Sequence, residues 1–110
     1  MSYSEALATE LRRLLAGRDD IVEKRMFGGL TFMVGGHMCC GVARDSLVFR
    51  VGPARYEAAL ADPLARPCDF TGRPLTGMVM VAAQAGHTPA AFKTFLEWSL
   101  GYVLSLPAKP

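Results

Sequence analysis

Apolar residues follow two periods along this chain, and the change from one to the other predicts its elements. Leu7, Leu11, Leu14 and Leu15 fall on one face at helical spacing, with Glu5, Glu10, Arg12 and Arg13 mostly off it. Ser2 and Glu5 fit a capping box, and Gly17 suits the position just past the helix end. After a polar turn at Asp19 and Asp20, Ile21 to Met26 alternates only weakly and reads as a short edge strand or an extended lead-in. The stretch from Arg25 to Pro53 then organises the chain. It predicts strands over Leu30 to Val34, His37 to Ala43 and Ser46 to Val51. Gly28-Gly29 breaks the chain before them, Gly35-Gly36 is a two-residue hairpin turn that needs positive φ, and Arg44-Asp45 is the next tight turn. Leu47, Phe49 and Val51 alternate with Ser46, Val48 and Arg50, the pattern of an antiparallel sheet covered on one side.

Gly52-Pro53 ends the third strand, and Pro53 fits the first position of a helix. Ala54 to Ala61 reads as that helix, with Tyr56, Ala59 and Leu60 on one face and Pro63 as its stop. Pro63 to Gly77 is punctuated by proline and glycine and reads as a long loop anchored by Phe70 and Leu75. Met78 to Ala82 continues the sheet. Thr88 is a good N-cap and Pro89 a good first residue for the last helix. Phe92, Phe95, Leu96, Ser99, Val103 and Leu106 form its main stripe. Trp98 and Tyr102, four apart, form a second stripe that points elsewhere. The order α–β(3 or 4)–α–β–α predicts an α+β two-layer domain. Its sheet is mostly antiparallel with four to five strands, and residues 1–110 form one domain.

Composition changes this picture little. Hydrophobic residues are 51% and charged residues 20%, ordinary for a globular domain. A net charge of +2 is far from the basicity of a dedicated nucleic-acid binder. Nine Arg stand against three Lys, which keeps an acidic partner open, because Arg favours planar bidentate acceptors. Three cysteines, two of them adjacent, make no disulfide framework, and a reducing, cytoplasmic compartment is expected. Charge interrupts the first residues, so no signal peptide is read there, and no run approaches the ~20 apolar residues of a membrane span.

Candidate chemistry is sparse. The paired glycines lack the Lys-Ser/Thr of a P-loop or a GxGxxG fingerprint and lie between strands, so they read as turns. His37-Met38-Cys39-Cys40 is the one soft-ligand cluster. Strand alternation puts His37 and Cys39 on one side and Cys40 on the other. A metal- or thiol-dependent enzyme would use His37, Cys39 and Cys68, with His87 as a further ligand, yet no CxxC pair or zinc-finger spacing accompanies them. Met26, Met33, Met38, Met78 and Met80 fall in or beside strands and read as core filling, with an adaptable binding surface as the other use of thioethers. Arg25, Arg44, Arg50, Arg55, Arg66 and Arg73 sit at strand ends and in loops, where convergence would grip an acidic partner or a nucleic-acid backbone. No aromatic interleaving or helix-turn-helix pattern supports direct DNA reading.

Lys24-Arg25-Met26-Phe27-Gly28-Gly29, the Gly35-Gly36 hairpin and His37-Met38-Cys39-Cys40-Gly41-Val42 together resemble the N-terminal domain of the TfoX/Sxy family. Leu47 to Pro53 and Arg66 to Gly77 are similar to that family as well. The resemblance implies a small bacterial, cytoplasmic α+β domain with an antiparallel sheet. It implies kinship with regulators of natural competence that act beside a cyclic-AMP-responsive activator at promoters and carry a further C-terminal helical domain. His37 stands where the family often has Lys, so an obligatory charge contact is not expected there. No catalytic residue, cofactor or metal comes with the resemblance. The expectation is a non-enzymatic regulatory or protein-interaction module that forms a homodimer through the last helix or a sheet edge. Arg25, Arg50, Arg73, Trp98 and Tyr102 are its interaction residues, and Met26, Phe27, Gly28, Gly29, Gly35 and Gly36 its structural motif. Its expected partner is a protein, with the transcription machinery as the candidate. A DNA or transcription-complex cofactor acting through arginines is the other binding alternative.

Overall fold

The structure, a computed structural model, describes residues 3–26, 28–68, 75–82 and 90–107. Helix α1 runs from Glu5 to Leu14. Its N-cap is Ser4, whose hydroxyl accepts the Leu7 amide at 3.2 Å, so Glu5 is the first helical residue and the cap lies two residues later than the Ser2 capping box predicts. The cause is a tertiary tether. Tyr3 bridges Arg44, and the Ser4 amide donates to the Arg44 carbonyl at 2.7 Å, which holds the chain extended up to the cap.

Six strands follow: β1 (Ile21–Met26), β2 (Gly29–Val34), β3 (His37–Ala43), β4 (Ser46–Arg50), β5 (Ala65–Pro67) and β6 (Met78–Ala82). They form one sheet in the order β1-β2-β3-β4-β6-β5, with every neighbouring pair antiparallel. The weakly patterned Ile21–Met26 is therefore an edge strand. Gly28 (φ 71°) turns β1 into β2. Gly29 lets the Val42 carbonyl approach where a Cβ would collide with it. Val34 pairs with His37 across Gly35 and Gly36 (φ 60° and 81°), the two-residue turn read from the sequence. Phe27 lies outside the described residues.

The sheet has six strands against the four to five expected. Strand β5 falls inside the stretch read as a loop, because three residues bounded by prolines carry no alternation to detect. Backbone bonds from Cys68 N to Met78 O (3.2 Å) and from Leu75 N to Cys68 O (2.9 Å) extend the β5–β6 pairing.

After β4, Pro53–Arg55 forms a 3-10 turn and Tyr56–Leu60 the short helix α2, in place of one continuous helix. Helix α3 spans Ala90–Leu104, and the expected cap and first residue, Thr88 and Pro89, lie outside the described residues. Both longer helices lie on one face of the sheet. There Leu7, Leu11, Phe92, Phe95 and Val103 pack on Phe32, Val42, Leu47, Phe49 and Val79. Phe49 sits between Phe92 and Phe95, with ring centroids 6.0 and 5.7 Å away. On the other face Ala43, Val48 and Cys68 form a smaller cluster with Met38, Leu75, Met78 and Met80. The expected α+β two-layer fold is what forms. Among the described residues no helix is long and apolar enough to cross a membrane.

Strand β3 departs from simple alternation. Phe32 pairs with Cys40 but Met33 with Met38, so Cys39 is the extra residue of a bulge. Cys39 and Cys40 consequently share the helix-side core, both buried, instead of facing opposite ways.

Candidate interaction cleft

The end of β4 fixes one wall of a cleft. Past Arg50, Gly52 takes φ 91°, a conformation in which a side chain is strained. Its amide donates to the Gly77 carbonyl at 3.0 Å, and its own carbonyl accepts the Arg55 amide at 3.2 Å to start the 3-10 turn. The Tyr102 ring lies against Gly52 so closely that a Cβ there would meet ring Cδ1 at 2.5 Å. Helix α3 thus leans on bare backbone at this point, and the opposite wall is built by Glu97, Trp98, Gly101 and Tyr102. The half-open space between the walls is about 510 Å³ and mostly apolar, floored by Val51, Gly52 and Pro53.

Two arginines cap its aromatic rings. The Arg50 Cζ lies 5.4 Å from the centroid of Tyr102, and Arg50 also donates to the Met38 carbonyl at 3.4 Å. The Arg55 Cζ lies 5.1 Å from the centroid of Trp98. Trp98 in turn packs on Phe95, with centroids 5.8 Å apart, so it is anchored in the core on one side and open to the cleft on the other. Trp98 and Tyr102 are four apart on the helix, so the two arginine-capped rings are neighbours on one helix face. The described ion pairs are Arg12–Glu23, Arg13–Glu10 and Arg18–Asp20, all in or next to α1 and β1. Neither Arg50 nor Arg55 is in an ion pair among the described residues.

Of the interaction residues expected from the sequence, the fold brings together Arg50, Trp98 and Tyr102 and leaves Arg25 apart. Arg25 stands on β1, three strands from β4, which is about 14 Å at the usual strand spacing. Arg73 lies outside the described residues. Sequence reasoning did not single out Arg55 from the other arginines, and it passed over Glu97 and Gly101. A signal for Gly101 existed: it interrupts a helix between two aromatic residues, where glycine costs stability.

The thiol and imidazole groups do not converge. Cys39 is buried on the helix side of the sheet, whereas Cys68 belongs to the cluster on the opposite face. The His37 Nε2–H donates to the Pro107 carbonyl at 2.6 Å, tying the end of α3 to the β2–β3 hairpin. His87 lies outside the described residues. The Cys40 thiol is pushed well above its usual range, first by its hydrogen bond with Cys39 and then by complete burial. All three cysteines are buried and none is in a disulfide. Among the described residues no group of three His, Cys, Asp or Glu side chains is placed to hold a metal ion.

The family model for the TfoX N-terminal domain matches residues 13–101. No curated protein and no solved structure matches the chain. The match runs from the last two residues of α1, through the whole sheet, to the glycine in the cleft wall, and the chain belongs to the TfoX N-terminal domain family.

Proposed function

We propose that this chain is a non-enzymatic regulatory and protein-interaction module of a bacterial cytoplasm, and that it engages a protein partner through the cleft between α3 and the end of β4. The observation that carries this reading is the half-buried pair Trp98 and Tyr102, set in an apolar groove and capped by arginines that form no ion pair among the described residues. Tyr, Trp and Arg are the residue types that dominate binding energy at interfaces. Three cysteines outside any disulfide suit a reducing compartment. Family membership supports a TfoX-like module, and a partner in the transcription machinery follows from the competence regulators it resembles.

The direct test is capture from the native cell with wild-type bait and with Gly101→Leu bait. Partners held by the cleft are retained by the first and lost from the second. An identical set from both baits contradicts the reading. A second copy of this chain would occupy the same apolar stripe, so the homodimer competes with a heterologous partner. Sedimentation velocity at micromolar concentration decides this, and a monomer at every concentration removes the dimer.

A further inference from the structure

Gly101 lies inside a fifteen-residue helix, where glycine is about 1 kcal/mol less favourable than alanine. Most glycines in this fold have a visible cause. A Cβ on Gly41 would meet the Leu30 carbonyl at 2.6 Å, and one on Gly52 would meet Tyr102 at 2.5 Å. Gly101 has no such cause: beyond its own helix backbone no described residue lies within 4 Å of its Cβ position, and its helical backbone needs no positive φ. Folding therefore does not require glycine here. What the missing side chain does is keep the cleft open between Trp98 and Tyr102.

The charge around that opening is specific. An arginine lying over an aromatic ring is held by its face, which leaves the N–H edge of the guanidinium pointing outward, the edge that takes a carboxylate in bidentate fashion. Arg50 uses one N–H on the Met38 carbonyl, and Arg55 is exposed. Glu97 is the one acid among the lining residues. Arg55 lines the space and Arg50 stands beside it over the Tyr102 ring, so two cations meet one anion around an apolar floor, which fits a ligand apolar at its centre and acidic at its flanks.

Building on the interaction reading above, we infer that the cleft receives a segment of a partner protein in which an apolar side chain enters the space left by Gly101 while flanking Asp or Glu carboxylates bond Arg50 and Arg55. Glu97 opposes the same carboxylates and sets an upper limit on how acidic the segment is.

The chain's single tryptophan is Trp98, so its fluorescence reports the cleft and nothing else. The probes are a short synthetic peptide with a central Phe flanked by Glu, the same peptide with Lys at each Glu position, and a mixed-sequence single-stranded oligonucleotide. The acidic peptide produces a saturable change, and the Lys peptide binds at least about tenfold more weakly, because charge pairs at interfaces are strongly coupled. Arg55→Gln lowers affinity for the acidic peptide about tenfold, and Glu97→Gln raises it a few-fold, opposite signs that a structural role would not produce. Gly101→Leu abolishes the change while its unfolding midpoint stays equal or rises.

Equal binding of the two peptides, retention by Gly101→Leu, preference for the oligonucleotide, or no saturable change up to about millimolar peptide each overturns the inference. If cleft-dependent capture from the cell succeeds while the acidic peptide fails, the acidic chemistry falls and the cleft stands. If both fail, both fall.

Discussion

Two glycines on opposite walls of one cleft obey different constraints. Gly52 combines φ 91° with a tyrosine ring where a methyl group would go. Gly52→Ala forces both backbone strain and a shift of Tyr102, and should lower stability by about 2 kcal/mol or more in urea denaturation. Wild-type stability in that variant would mean that Tyr102 does not rest on Gly52. Gly101 meets neither constraint, so Gly101→Ala should leave stability unchanged or raise it by up to about 1 kcal/mol. The two substitutions remove the same kind of residue a short distance apart, and the sign of the difference separates a glycine kept for folding from one kept for binding.

Among the elements, α1 is tied to the exposed edge strand by a bidentate pair. Arg12 donates from Nε and Nη2 to the two carboxylate oxygens of Glu23, both at 2.8 Å. The hydrogen bond from Arg12 holds the Glu23 carboxyl below its ordinary range, with burial acting weakly the other way. A depressed folded pKa stabilises the fold above the ordinary glutamate range, about pH 4.3, and that contribution is lost as pH falls through the lower folded value. The pair is partly exposed, so its worth is at most about 1 kcal/mol. Glu23→Gln should therefore cost up to about 1 kcal/mol at neutral pH, with the gap to wild type closing below about pH 4 in paired thermal melts. A constant gap down to acid pH would show that Glu23 acts through packing instead.

The elements were legible to unequal degrees for the same physical reason. The strands from Leu30 to Val51 and helix α3 bury large side chains at regular periods, and their pattern shows it. Strand β5 has three residues and no period, and the capping of α1 is set by Arg44, forty residues away in sequence, which no local motif reports. The bulge at Cys39 is a register event between strands, invisible in either strand alone. At the site, aromatic spacing marked Trp98 and Tyr102, but which arginines meet them depends on where β4 ends against α3.

Across the whole molecule, the sheet and its helices bring a loop after β4 against the middle of α3 and leave a groove between them. The arginine-capped aromatics lie there, not at the β1 edge where Arg25 stands, and not between Cys39 and Cys68, which the sheet separates. The most direct test of that placement is photo-crosslinking in the native cell, with a photoreactive amino acid in place of Glu97 on the cleft rim or of Val22 on β1. Val22 is a fair control because it is 58% exposed. A discrete protein adduct from position 97 and none from position 22 is the predicted result. Adducts from position 22 alone, or nucleic acid as the only species captured at position 97, would contradict it.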